Sequence, residues 1–163
     1  MIQMIISGGQ TGADQAGLKA GKDMGWKTGG YAPKDFLTNE GPNPDLLAGT
    51  YNLAEHKGGY KERTRENVKI GTATIRCCVD FWSAGEICTM NAIREFKKPH
   101  FDIYLPNPPS IQDFVIWLFR HQVQILNVAG NTENKRDMDI FEMSYSYLYK
   151  SFKYFDRIMK RGK

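Results

Sequence analysis

A short apolar run, Met4-Ile5-Ile6, breaks into Ser7-Gly8-Gly9-Gln10-Thr11-Gly12-Ala13-Asp14, where three glycines precede a helix start. Glycines let a backbone approach an anion closely, the amide N–H groups of a helix start point outward, and the helix dipole favours negative charge there. The stretch therefore predicts an anion cradle, with a tight turn that binds nothing as the plain alternative. Its spacing is neither G-x-G-x-x-G nor a Walker loop, because no Gly-Lys-Ser/Thr closes it. A second turn, Ser83-Ala84-Gly85-Glu86, follows another apolar run and opens a helix that carries Thr89. A third, Ala129-Gly130-Asn131, ends the run that begins at Gln124. Asp14 and Glu86 are the acids placed beside the two glycine turns, which suits them to general acid or base work. Glu86 has favourable interaction with its helix dipole as the competing role. His56, His100 and His121 lack ligand spacing, so no metal site is expected. No Gly-x-Ser-x-Gly elbow or Cys–His signature is present.

The elements that must position these residues follow from periodicity. The first helix, from about Gly12 to Met24, places Ala13, Ala16, Gly17, Ala20 and Met24 on one face, so it can pack very close to a sheet. Trp26 to Tyr31 reads as a short strand, and Ala32 to Gly59 as a long Gly-, Pro- and Asn-rich region that contributes to a ligand site. Tyr60 to Ile70 predicts a polar helix with Arg63, Thr64 and Asn67 on one face. Thr72 to Val79 reads as a buried strand interrupted by Arg76, His100 to Leu105 as another, and Gln124 to Ala129 as a third. Ser110 caps a helix with core face Ile111, Phe114, Val115 and Leu118, and Asp113 is its weaker capping-box partner. From about Met138 to Lys160, the residues Phe141, Tyr145, Leu148, Phe152, Phe155 and Met159 form the seam of a long amphipathic helix. That seam docks on the chain's own sheet or, as the alternative, joins two copies in a homo-oligomer.

Strands alternating with helices predict an α/β fold: one Rossmann-like domain over 1–163, its mainly parallel sheet covered by helices on both faces. Ligands bind such sheets beyond the carboxyl ends of the strands, where the three turns should converge on one crevice. The net charge of +4 is modest; the terminal cluster Lys150, Lys153, Arg157, Lys160, Arg161 and Lys163 reads as a solvated helix face, and nucleic acid is not expected as a partner. Cys77, Cys78 and Cys88 form no C-x-x-C pair and read as reduced thiols; with no leader and no long apolar span, the expectation is a cytoplasmic protein off the membrane.

Five segments carry a resemblance: Ile5 to Asp14, Thr28-Gly29-Gly30-Tyr31-Ala32-Pro33-Lys34, Glu40-Gly41-Pro42, Tyr60 to Val68, and Leu126-Asn127-Val128-Ala129-Gly130. Together they resemble the putative molybdenum-carrier family, a circularly permuted YpsA-related branch of the SLOG nucleotide-binding superfamily. Its relatives include cytokinin-activating phosphoribohydrolases and DNA-processing proteins, and fold kinship does not choose among such roles. The resemblance implies that Gly8, Gly9, Gln10, Thr11 and Gly12 line a phosphate, with Ser7 and Asp14 nearby. It implies Lys34 as a mobile positive charge and Arg63, Thr64 and Asn67 as a polar face towards the ligand. Ser83, Gly85, Glu86 and Thr89 would line one side, and Asn127, Ala129, Gly130 and Asn131 would close the far side.

This chain departs from the family pattern. Gln15 replaces an arginine, Ser83-Ala84-Gly85-Glu86 stands for Thr-Gly-Gly-Thr, and Asn131-Thr132-Glu133-Asn134 stands for Pro-Arg-Glu-Ser. The pocket is therefore less basic than its relatives, which implies fewer phosphates or a different head group. The leading expectation is a protein that binds a nucleotide or nucleotide-derived small molecule as carrier, sensor or sequestering agent. Two alternatives stay open: an N-glycosidic hydrolase using Glu86 and Asp14, and carriage of the molybdenum cofactor in the same cradle.

Overall fold

The computed structural model describes residues 1–162; Lys163 of the basic cluster lies outside the described residues. Five parallel strands form the central sheet: β1 (Met4–Ser7), β2 (Lys27–Gly29), β3 (Ala73–Cys78), β4 (His100–Tyr104) and β5 (Ile125–Gly130). Their spatial order is β2-β1-β5-β3-β4. The helices are α1 (Ala13–Asp23), α2 (Tyr60–Ile70), α3 (Ala84–Phe96), α4 (Ile111–Arg120) and α5 (Ile140–Arg161). Helices α1 and α4 pack along α5 on one face, and α2 packs along α3 on the other. The α/β arrangement with both faces covered agrees with the sequence reading. No helix among the described residues is long and apolar enough to cross a membrane.

Alternation along the strands makes the two faces chemically unlike. Ala73, Ile75, Cys77, Leu126 and Val128 join Phe114, Leu118, Leu148, Phe152 and Phe155 in one large apolar core. The side chains between them, Thr74, Arg76 and Asn127, are buried and polar and belong to the α2–α3 side. There only a small apolar cluster, Val68, Ala92 and Ile93, fills the interior. A buried polar layer thus separates the sheet from α2 and α3, and this layer contains the site.

The small-residue face of α1 acts as its composition predicts. A Cβ on Gly17 would stand 2.5 Å from Val128 Cγ1, so the helix lies almost on the strand backbone. The stretch from Ala32 to Gly59 is folded rather than idle. Leu47, Tyr51 and Leu53 bury with Leu18 and Ala32 in a cluster of their own, and Tyr31–Ala32 pairs in parallel with Ala54–Glu55. In α5 the buried stripe includes Ile140, Ser144, Tyr147 and Ser151, while Phe141 and Tyr145 are half-buried. The seam is therefore rotated from the predicted one, and it docks on the chain's own α1 and α4.

Helix α4 starts where the sequence places it, with Ser110 Oγ accepting from the Asp113 N–H at 3.1 Å. Ser110→Ala should cost about 1 kcal/mol, the usual worth of such a cap. Chemical denaturation would show this as a lowered midpoint at constant slope; an unchanged midpoint would mean that the cap contributes nothing.

Candidate functional site: a polar crevice over the central strands

Strand β1 leads through α1 to β2 at one edge, and β3 leads through α3 to β4 at the other, with β5 between them. The carboxyl ends of β1, β5 and β3 therefore open onto a gap, the place where such sheets bind ligands. The three turns do converge there. Gly8, Gln10, Asp14, Arg63, Thr64, Asn67, Glu86, Thr89, Asn127, Ala129 and Gly130 line an enclosed crevice together with Tyr60, Val128 and Thr132. Gln10, Ser83, Gly85, Glu86, Gly130 and Asn131 line its wider mouth, with Asn39, Tyr60, Thr132 and Lys135. Free space is about 30 Å³ inside and about 290 Å³ at the mouth.

The glycines of the first turn each face protein atoms. At position 8 a Cβ would stand 1.5 Å from Arg63 Nη1, so the missing side chain is the seat of the guanidinium. Around Gly12, with φ of 89°, lie the Asn131 carbonyl and the Thr132–Glu133 backbone, and the Ala13 N–H donates to the Asn131 carbonyl at 3.1 Å. The N-terminus of α1 is thereby covered by the chain leaving β5. Gly9 faces Leu47 and Leu53 of the long loop. Asp14 takes one amide of the turn itself: its Oδ2 accepts from the Gln10 N–H at 3.2 Å.

What the crevice leaves open is a polar set on α2 and α3. Arg63 is 4% exposed, and its Nε and Nη2 are buried without a partner. Its Nη1 faces Asp14 Oδ2 at 3.9 Å, and the guanidinium lies 4.6 Å from the centre of the Tyr60 ring. Thr64 Oγ1 and Glu86 Oε2 are also buried without a hydrogen bond. Buried groups of this kind are costly and normally paired, so four in one crevice mark a place for a polar partner. Burial pushes the Asp14 carboxyl up to about 6 against the pull of Arg63. It pushes Glu86 up to about 7, with the Cys78 thiol and the Arg76 guanidinium acting the other way. Arg76 is itself held by Asp102 through paired bonds of 2.8 and 2.5 Å and reaches Glu86 Oε2 at 3.9 Å.

Other predicted site residues have structural partners. Ser7 Oγ donates to the Val128 carbonyl at 2.8 Å, tying β1 to β5. The Asn67 amide spans both backbone groups of Tyr31, at 2.8 and 3.0 Å, and so holds the strand after β2 against α2. Asn131 Oδ1 accepts from the N–H groups of Val79 and Asp80, and its Nδ2 donates to the Asp80 carbonyl. Thr11 is buried beside the turn without lining the crevice, and Lys34 is exposed outside it. Tyr60, Thr132 and Lys135 line the site without having been singled out. For Tyr60 a signal existed: it lies three residues before Arg63, one helical turn away on the same face.

A model of the circularly permutated YpsA SLOG family matches residues 5–152. The chain belongs to that family. Among solved structures, the SLOG-family chain is similar to a protein from Syntrophus aciditrophicus SB named a putative molybdenum carrier protein. The identity is 33%, the TM-score is 0.80, and the match covers 93% of this chain and 94% of the other. No curated protein matches it.

Proposed function

We propose that this protein binds a nucleotide or a nucleotide-derived small molecule in the crevice, serving as carrier, sensor or sequestering agent. One observation carries the reading: Arg63 presents a buried Nε–Nη2 edge without hydrogen bonds, beside Thr64 Oγ1 and Glu86 Oε2, which also lack them. Such an edge matches two oxygens of a phosphate or carboxylate through parallel bonds. Family membership and the carrier name of the Syntrophus protein support the same reading. In it the glycine turn acts at one remove, because Gly8 gives the guanidinium its seat and Asp14 steadies it from the far side. Glu86 receives a hydroxyl of the ligand, and Thr64 completes the oxyanion's shell. Gln10, Gly130 and the Ser83 to Gly85 turn frame the mouth.

A pterin phosphate would engage Arg63 in the same way. A molybdenum cofactor would then be held through its phosphate at the free edge of Arg63. A second reading, cleavage of an N-glycosidic bond, is favoured by the Glu86 carboxyl. With a pKa near 7 it can exchange a proton at neutral pH.

Mass spectrometry of small molecules released from denatured protein separates the two, followed by incubation of the stripped protein with nucleoside monophosphates. Stoichiometric recovery of an intact phosphate ester is the expected result. Appearance of free base would establish the hydrolase, and failure to retain or bind any phosphate-bearing compound would overturn the binding reading.

A further inference from the structure

The inner part of the crevice holds only about 30 Å³ of free space, which suits the leading oxygens of an anion and is too little for a ring. Whatever carries that anion must therefore lie outside, and the structure offers a place for it. On the outer surface of α2 and α3 runs a groove of about 400 Å³, within the usual size of small-molecule sites, lined by Tyr60, Ala84, Gly85, Ile87, Cys88 and Ala92 among others. Ile87 is 46% exposed there, an apolar side chain turned to solvent beside a functional crevice.

Tyr60 joins the groove to the crevice, because it lines the enclosed chamber, the mouth and the groove alike. One face of its ring covers the Arg63 guanidinium, while the residue as a whole is 49% exposed. Its hydroxyl lies 2.9 Å from where a Cβ on Gly85 would be, so the absence of a side chain at 85 lets the ring stand at the junction. The rim of the groove is polar: Lys61, the Arg65–Glu95 ion pair and Asn91, an exposed amide suited to the edge of a heterocycle.

We infer that the groove between α2 and α3 receives a planar heteroaromatic head group, stacked on the free face of Tyr60 and lying against Ile87, while the same molecule's phosphate reaches Arg63. The inference rests on the proposed phosphate site and extends it by naming what hangs from the phosphate. Aromatic side chains hold bases this way with little regard to sequence, since every base has a π-face. Cationic support beneath the ring fixes Tyr60 in place before the ligand arrives.

The test compares dissociation constants of the four common nucleoside 5′-monophosphates with those of ribose 5-phosphate and inorganic phosphate, for the natural chain and for Ile87→Asp. Position 87 is exposed, so the variant should fold, and its melting temperature checks this. At least one nucleotide should bind about tenfold or more tighter than ribose 5-phosphate, the order that one stacked base gives. In Ile87→Asp that advantage should vanish while ribose 5-phosphate binds as before. Equal binding of nucleotides and ribose 5-phosphate, or an advantage that survives Ile87→Asp, would overturn the head-group site and leave the phosphate site standing. Failure of all the phosphate compounds to bind would overturn both.

Discussion

Arg63→Lys is expected to weaken capture of a phosphate-bearing ligand by about a hundredfold while the fold persists. Lysine keeps a positive charge facing Asp14, now paired with Arg63 Nη1 at 3.9 Å, so the carboxyl is not left alone in the interior. What it removes is the planar edge. Nε and Nη2 are both buried and unpartnered, and a hydrogen bond to a charged group contributes about 1.5–3 kcal/mol. Losing one or two such bonds, at about 1.4 kcal/mol per factor of ten, gives the stated effect. Arg120→Lys is the control, because Arg120 is exposed at the end of α4, on the other side of the sheet from the crevice, and should change affinity little. Isothermal titration with a nucleoside monophosphate measures both. Equal affinity for Arg63→Lys and the natural chain would move the anion away from this edge.

Stability of the ligand-free protein should fall as pH rises from about 4 to about 8. Asp14 and Glu86 have ordinary values of 3.8 and 4.5 and titrate at about 6 and about 7 in the folded chain. Between these limits the unfolded chain has released protons that the folded chain still holds, so raising the pH favours unfolding. Well below the ordinary values both states are protonated and neither acid adds a pH dependence. Above the folded values the loss is complete, at about 3 kcal/mol for each acid, from about 1.4 kcal/mol per tenfold difference in proton affinity. Denaturation midpoints at pH 5 and pH 8 should therefore differ, and Asp14→Asn or Glu86→Gln should each remove part of the difference. A midpoint that rises with pH would show that the two carboxyls are not destabilised by burial.

The alternation of strands and helices and the convergence of three turns were legible, because apolar periodicity and glycine placement are local signals. The meaning of the glycines was not. Gly8 reads the same whether its missing side chain makes room for a ligand's phosphate or for a guanidinium 55 positions later in the chain, and only the fold distinguishes them. Asn67 and Asn131 line the crevice and its mouth, and what the sequence hides is that both also bind the backbone. Their bonds run to Tyr31, Val79 and Asp80, partners 36 to 52 positions away, which no window of sequence shows. Arg76 reads as an interruption in an apolar strand, and the register that sets it opposite Asp102 explains why it can be buried. Tyr60 was hidden by its exposure: half-open aromatics at a helix start seldom attract notice, and its importance lies in where three cavities meet.

The unequal filling of the two sides of the sheet bears on how the molecule would hold the proposed ligand. On the α1, α4 and α5 side, aromatic and aliphatic packing is continuous and needs no help. On the α2–α3 side, a few apolar residues share the interior with donors and acceptors that lack hydrogen bonds, so lifting these two helices should cost less than opening the other side of the sheet. A ligand that pairs with Arg63, Thr64 and Glu86 would supply the cohesion this layer lacks, and its binding energy would double as the energy that latches the two helices down. Release would then require no dedicated door. Breathing of one half of the protein against a rigid other half would set the residence time, and a recipient could hasten delivery simply by gripping α2 and α3 in their lifted state.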